Sequence, residues 1–273
     1  MPIEKSANTT LERISVPSLH LNRTVETDLY MPSGARELPE ADLLLINDGQ
    51  DLLTMGFAGI LDDLCDRDLL RPLLCVGIHA GDDRKMEYGT AGIPDYQGRG
   101  VKADAYTRFI FDELMPVIRR SWHVPFFREK AFAGFSLGAL SAMDIVWRHP
   151  HEFTRAGLFS GSFWWRTKDK GEPGYDETAD RIMHQEVRHG GFYPWLKFFF
   201  ECGTEDEKED RNGNGVIDSI DDTQDLIGEL VARGYDARRD IRYLEIEGGD
   251  HSVGTWGKAM PEFLLWGWSN TEK

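Results

Sequence analysis

A doubly wound, mostly parallel α/β sheet is the fold class this sequence predicts, on three observations. Short apolar runs alternate with amphipathic stretches along nearly the whole chain, the runs are strand-sized, and only the N-terminal part departs from the pattern, with a period of two. The runs at 43–47, 73–78, 130–134, 156–160, 197–202 and 241–246 read as buried strands, because continuous apolar segments suit strands covered on both faces. Between them, 53–66, 103–122, 137–149, 178–188, 223–233 and 254–266 carry helical spacing. Residues 11–32 place Ile14, Val16 and Leu19, then Val25, Thr27 and Leu29, in the strand manner, which predicts an antiparallel hairpin at one sheet edge. With no repeat and no linker, one domain over 1–273 is expected.

Composition narrows the function. The formal charge is -16, from 47 acidic and 31 basic residues, and such a field repels phosphate backbones and anionic lipid, so neither nucleic acid nor a membrane is an expected partner. The opening residues lack the apolar core of a signal peptide and no run reaches transmembrane length, which together predict a cytoplasmic protein. Three widely spaced cysteines, 65, 75 and 202, suit neither a disulfide framework nor a zinc site. Nothing predicts the oligomeric state.

The strand ending at Gly134 runs into Phe135-Ser136-Leu137-Gly138 and then a helix. Gly-x-Ser-x-Gly at a strand-to-helix turn makes Ser136 a candidate nucleophile: flanking side chains would clash with neighbouring backbone, and the turn lifts the hydroxyl clear of the sheet. It also leaves the Leu137 N–H aimed at a reacting carbonyl, with the following helix dipole favouring an oxyanion. The chance alternative is weakened by the strand before the motif and the helix after it.

A base must follow in chain order, and of eight histidines only His251 lies beyond the last predicted strand. His79 is a possible pocket residue in the wrong order. His149, His151, His184 and His189 sit near helix ends or in polar stretches, where capping or solvation is the commoner role. The acid should follow the 197–202 strand, where Asp206 is the first choice, Glu205 the second, and Asp210 stands behind them. The Gln50 N–H, at the turn after the 43–47 strand, is the candidate second oxyanion donor. This arrangement is the α/β-hydrolase fold with a Ser136-His251-Asp206 triad, which needs no cofactor for catalysis.

With Asn47-Asp-Gly-Gln50, Val76-Gly-Ile78 leading to Arg84-Lys-Met-Glu-Tyr88, Gly134–Gly138, Ser160-Gly-Ser-Phe-Trp-Trp165, Gly203-Thr-Glu-Asp206 and Asp250-His251, the chain resembles the putative-esterase (esterase-D-like) family of α/β hydrolases over most of its length. That family includes enterochelin, feruloyl and acetylxylan esterases, S-formylglutathione hydrolases and mycolyltransferases; the Ser160–Trp165 run is most similar to the enterochelin-esterase branch. The resemblance implies a carboxylic ester hydrolase acting on a small-molecule ester, with an acyltransferase or thioesterase on the same triad as the alternative. It implies that the acid lies three residues after the strand-ending glycine, hence Asp206. It also implies that Arg84 and Glu87 brace the pocket mouth rather than form an ordinary exposed ion pair. Of Phe163, Trp164 and Trp165, at least one should line the cleft, since three adjacent aromatics cannot face one way; Trp164 and Trp165 are the candidates.

One motif lies outside this scheme. From Asp210, oxygen side chains at Asp210, Asn212, Asn214, Asp218 and Asp221, the Val216 carbonyl, and glycine at the sharp turn match the twelve-residue calcium loop, with aspartate at its last position where glutamate is commoner. A structural calcium ion is therefore expected, against the alternative of a hydrophilic turn. A non-catalytic calcium-dependent binding module on a hydrolase scaffold is the reading from another class.

Overall fold

The computed structural model describes residues 2–5, 8–32, 41–124 and 126–270. Nine strands form one sheet: β1 Pro2–Lys5, β2 Thr9–Ser18, β3 Arg23–Pro32, β4 Ala41–Asn47, β5 Leu73–Ile78, β6 Phe127–Phe135, β7 Arg155–Phe159, β8 Lys197–Glu205 and β9 Ile241–Asp250, in the order β1-β2-β3-β5-β4-β6-β7-β8-β9. The last six in that order are mutually parallel. The first three are antiparallel to one another, and β3 joins β5 antiparallel. The edge hairpin expected over 11–32 is β2–β3; strand β1, outside it, carries no alternation long enough to announce itself.

Side chains of each central strand alternate between two cores, as the pleat requires. Leu43, Leu45, Phe198 and Phe200 enter one; Leu44, Ile46, Phe199 and Phe135 enter the other. The second core is covered by α1 Asp51–Met55, α2 Phe57–Asp66 and, much later in the chain, the helix Val253–Trp268, through Leu52, Phe57, Leu61, Met260 and Phe263. The first is covered by α4 Ala103–Arg108, α5 Met115–Trp122, α6 Leu137–Arg148, α8 Ile182–His189 and α9 Asp218–Arg233, while the short helices α3 Arg84–Glu87 and α7 Glu177–Asp180 put no side chain into it; Val253–Trp268 is α10. Helices on both faces of a parallel sheet make the fold doubly wound.

Several helices differ from the expected spans. The 53–66 helix breaks at Gly56, whose φ of 71° ends α1. A π-helical stretch, Phe109–Leu114, interrupts 103–122 and keeps Phe109, Ile110 and Leu114 on the buried face. Helix α9 begins five residues early, at Asp218, because Ile217 already has extended backbone and the acidic first turn suits a helix N-terminus. Cys65, Cys75 and Cys202 form no disulfide. Among the described residues, no helix is long and apolar enough to cross a membrane.

Candidate active site

The carboxyl ends of β4, β6, β7 and β8 form one rim, on either side of the point where β5 and β6 leave β4 in opposite directions. In open α/β sheets this switch point is where ligands bind. Three non-glycine residues with positive φ stand at consecutive strand ends there: Asp48 (58°), Ser136 (56°) and Ser160 (45°). Such backbone costs about 1–3 kcal/mol per residue and persists only when surroundings over-determine it. Here they do: Ser136 N donates to Phe159 O and Ser160 N to Glu201 O, each at 2.8 Å, so each turn residue is tied to the next strand.

The two glycines around Ser136 are steric necessities. A Cβ on Gly134 would lie 2.4 Å from the Gly138 carbonyl, and one on Gly138 would lie 2.6 Å from Asp48 Oδ2. Asn47 locks the turn by donating from Nδ2 to Gly138 O at 2.8 Å, and its own Oδ1 accepts from Tyr106. Ser136 stands at a cleft of about 300 Å3 whose walls include His251, Asp206, Ser160, Ser162 and Trp164. Its hydroxyl has Ser162 Oγ 3.5 Å away.

His251 follows the end of β9, the strand beside β8 at the sheet edge. Gly203 and Gly249 cross so closely that a Cβ on Gly203 would meet Gly249 O at 2.2 Å, which lets the end of β9 fold against the end of β8. Asp250 then fixes the turn: its Oδ1 accepts from the hydroxyls of Ser252 and Thr255, at the start of α10. The His251 Nδ1 lies 3.8 Å from Asp206 Oδ1, and the imidazole is edge-on to Trp256, centroids 5.4 Å apart. His251 is 40% exposed, whereas the Asp206 side chain is 1% exposed. Burial holds the Asp206 carboxyl above its ordinary range, against the lowering influence of the Ser160 hydroxyl and His251. Glu205, by contrast, faces solvent.

Leu137 opens α6 and Gln50 caps α1, on adjacent strand ends, and neither N–H is used in a turn or loop bond to a backbone carbonyl among the described residues. Behind Gln50, Arg84 clasps Asp48 with two hydrogen bonds, 2.6 and 2.7 Å. Arg84 does not pair with Glu87; the latter is 1% exposed and clasped by Arg23 at 2.7 and 2.8 Å. Neither residue lines the cleft with Ser136, because the loop carrying both is drawn onto β3 and the β4 turn. Arg84 alone of the two touches the rim, through Asp48 and the Phe135 carbonyl, while Glu87 ties the loop to Arg23. Of the two tryptophans, only Trp164 reaches the cleft; Trp165 is fully buried, with the backbone of Gly89 and Gly100 against its ring.

His79 bonds Asp28 on β3, at 2.8 Å, away from the cleft. His184 is not a solvated helix-end residue: it is 1% exposed, bonds Asp222 O, and burial pushes its imidazole down to about 3. Sequence reasoning gave Ser160 a place in a matching run but no role of its own, and did not single out Trp256 or Glu201. The visible signal for Glu201 is polarity inside the apolar run Phe198-Phe-Phe-Glu-Cys202.

The loop after β8 wraps around Asp210, whose carboxylate accepts from Gly213, Asn214 and Gly215 N–H. Asn212 and Asn214 both donate to Asp221. Asp218 does not join them: as the first residue of α9 it is turned to Lys170 Nζ, at 2.7 Å, and to the Arg211 N–H. Among the described residues, no three His, Cys, Asp or Glu side chains are grouped to hold a metal. A larger hollow, of about 440 Å3, opens near Phe127 and Thr154 at the other ends of the strands. It holds no serine–histidine pair.

A serine at a strained elbow on a doubly wound sheet, with histidine and a buried carboxylate at the same rim, defines an α/β-hydrolase-type esterase. The chain belongs to the family described as "Putative esterase", whose model matches residues 18–266. It is accordingly a carboxylic ester hydrolase. Over 191 residues it is 24% identical to "Uncharacterized protein YbbA" of Bacillus subtilis (strain 168), covering 67% of this chain and 70% of that one. Among solved structures it is similar to the enterochelin esterase of Shigella flexneri (TM-score 0.72, 19% identity, 97% of this chain) and to a ferulic acid esterase (0.68, 16%, 95% of this chain and 97% of that one). It is also similar to an IroE-like serine hydrolase from Shewanella oneidensis (0.66, 19%, 94% and 78%). The chain spans 60% of the length of the Shigella enzyme.

Proposed function

We propose that the protein is a serine esterase that hydrolyses small-molecule carboxylic esters through an acyl-enzyme. Ser136 Oγ attacks the ester carbonyl as His251 takes its proton, and Asp206 holds the imidazole and stabilises the imidazolium. The Leu137 and Gln50 N–H groups receive the oxyanion. His251 returns the proton to the departing alcohol; a water molecule, deprotonated by the same imidazole, then releases the acid. The reading is carried by one observation: a serine held at a strained elbow shares a cleft with a histidine backed by a buried carboxylate. Trp164 on the cleft wall, together with the names of the enterochelin and ferulic acid esterases, favours an ester with an aromatic acyl group. Hydrolysis is favoured over acyl transfer because His251 stands 40% exposed, open to water.

The test is turnover of short-chain p-nitrophenyl and aromatic acyl esters, with and without added acyl acceptors. Ser136→Ala should lower kcat at least about 10^4-fold; a variant as fast as the wild type would refute the assignment. The acidic loop supports a further, structural part of the proposal. Asp210, Asn212, Asn214, the Val216 carbonyl and Asp221 would supply oxygen ligands to a calcium ion there, while Lys170 occupies the sixth, Asp218. A chelator should then lower the Tm, and an unchanged melting curve counts against calcium.

A further inference from the structure

Glu201 is a carboxyl group where none is needed for packing. It follows Phe199 on the α10 side of β8, in a layer otherwise made of Phe159, Phe199, Trp256 and Phe263, and it is completely buried. Neither of its carboxyl oxygens has a hydrogen bond of good geometry. A leucine or methionine there would be the cheaper choice, since replacing buried charged groups by apolar ones is often neutral or stabilising. What surrounds Glu201 is the underside of the candidate triad. Ser160, whose N–H donates to the Glu201 carbonyl, shares the cleft wall with Asp206, and its hydroxyl pulls both the Glu201 and the Asp206 carboxyl down. Ser160 Oγ accepts from Trp256 Nε1 at 2.9 Å, and Trp256 in turn meets the edge of His251.

A hydroxyl oxygen has two lone pairs and one hydrogen. With one lone pair given to Trp256, Ser160 can accept once more and donate once. Neighbouring buried carboxylates resist ionising together, because each charge raises the cost of the other, and the Asp206 charge bears on Glu201 in this way. We propose that Glu201 is a positioning residue: it keeps the single proton of the Glu201–Asp206 pair, donates it in a hydrogen bond to Ser160 Oγ, and so leaves the Ser160 hydrogen and the only negative charge to Asp206. The network is then complete, with Trp256 and Glu201 donating to Ser160 and Ser160 donating to Asp206. Among the described residues, the ionisable groups bearing on the Glu201–Asp206 pair are Cys202 next on β8 and Asp250 and His251 at the end of β9; α10 presents the Trp256 indole and β7 the Ser160 turn. Burial, then the charge of Asp206, pushes the Glu201 carboxyl up to about 8, so the proposed proton is present at neutral pH.

This inference rests on the esterase reading, and two measurements keep their failures apart. The first compares kcat/KM of the wild type and Glu201→Gln on p-nitrophenyl acetate from about pH 5 to 9.5. Glutamine can still donate to Ser160 but cannot ionise. The ratio of the two rates should be constant below about pH 7 and change by threefold or more between about pH 7 and 9, as wild-type Glu201 loses its proton. The second follows the His251 ring resonances by NMR titration in a Ser136→Ala background, which needs no turnover. They should show a second inflection near 8 that Glu201→Gln removes. Should the glutamine variant fold poorly, Glu201→Met, which fills the space without a titrating group, must also lack that inflection. A constant rate ratio, or a His251 titration unchanged by either substitution, overturns the role of Glu201. Equal turnover by the wild type and Ser136→Ala would instead overturn the esterase reading.

Discussion

Removing the Arg84 guanidinium tests how the rim is held. Asp48 is 1% exposed, sits at φ 58°, and keeps its carboxylate in the core because Arg84 grips both oxygens at 2.6 and 2.7 Å. In Arg84→Ala the remaining side-chain donor to that carboxylate is the Gln50 amide, at 3.3 Å. A buried carboxylate stripped of its partner costs about 3–5 kcal/mol, and Arg84, 30% exposed, leaves room for water, which places the loss near the lower figure. For a chain of this size about 3 kcal/mol corresponds to a Tm lower by roughly 6–12 °C. The rate should suffer separately. Asp48 Oδ2 backs onto Gly138, and the same turn carries the Gln50 N–H, so a relaxed turn displaces an oxyanion donor. Losing such a donor costs kcat about 10^2–10^3-fold. Arg84→Lys keeps the charge without the planar fork and should fall between. Thermal melting and steady-state kinetics on one ester read both effects. A melting point within about 2 °C of the wild type together with an unchanged kcat would refute the reasoning.

Three further outcomes follow from the same geometry. Asp206→Asn should lower kcat by about three to four orders of magnitude while Glu205→Gln leaves it within a few-fold, and reversal of that order would move the acid to Glu205. Gly134→Ala forces a Cβ to 2.4 Å from the Gly138 carbonyl, so it should destabilise by about 3 kcal/mol or more in a chemical denaturation series. The third concerns pH. The Glu201 carboxyl lies at about 8 in the fold against an ordinary 4.5, so the folded state binds its proton more tightly than the unfolded chain does. That stabilisation is complete below about 4.5 and is lost as pH rises toward 8, with a ceiling of about 5 kcal/mol. Glu201→Gln should therefore gain on the wild type in Tm as pH rises across that window, and parallel Tm curves would show that Glu201 is not so perturbed.

The features legible in the sequence are those whose cause is local. An apolar run between turn residues is a buried strand because of its own hydrophobicity, and five of the six parallel strands needed little else. The elbow is legible because its glycines answer a clash within five residues. Arg84 and Glu87 show the opposite case. Three apart in sequence, they invite pairing with each other, yet their partners lie 36 and 64 residues away, on the β4 turn and β3. No periodicity encodes that choice. Trp164 and Trp165 are equally alike in sequence; Arg99 stacks over both rings, but only Trp165 lies under the Gly89 and Gly100 backbone. The calcium motif was legible as a string of oxygens, while the early start of α9 that commits Asp218 to Lys170 was not.

The same contrast explains where the site had to be built. The proposed nucleophile, the proposed oxyanion turn and the proposed Ser160 network lie on Asp48, Ser136 and Ser160, the strained ends of three neighbouring strands. Strain of this size needs a rigid support, and the parallel sheet supplies it by carrying the ladder one or two residues past each strand, through Gly49 N to Ile78 O, Ser136 N to Phe159 O and Ser160 N to Glu201 O, each at 2.8 Å. The Ser136 and Ser160 bonds tie each of those turns to the next strand, and Asn47 Nδ2 to Gly138 O ties the β4 turn to the Ser136 turn. Glu201 sits where the last of the ladder bonds meets the turn beside Asp206. On the proposed scheme a proton held there is felt by the chemistry, even though Glu201 itself does not line the cleft.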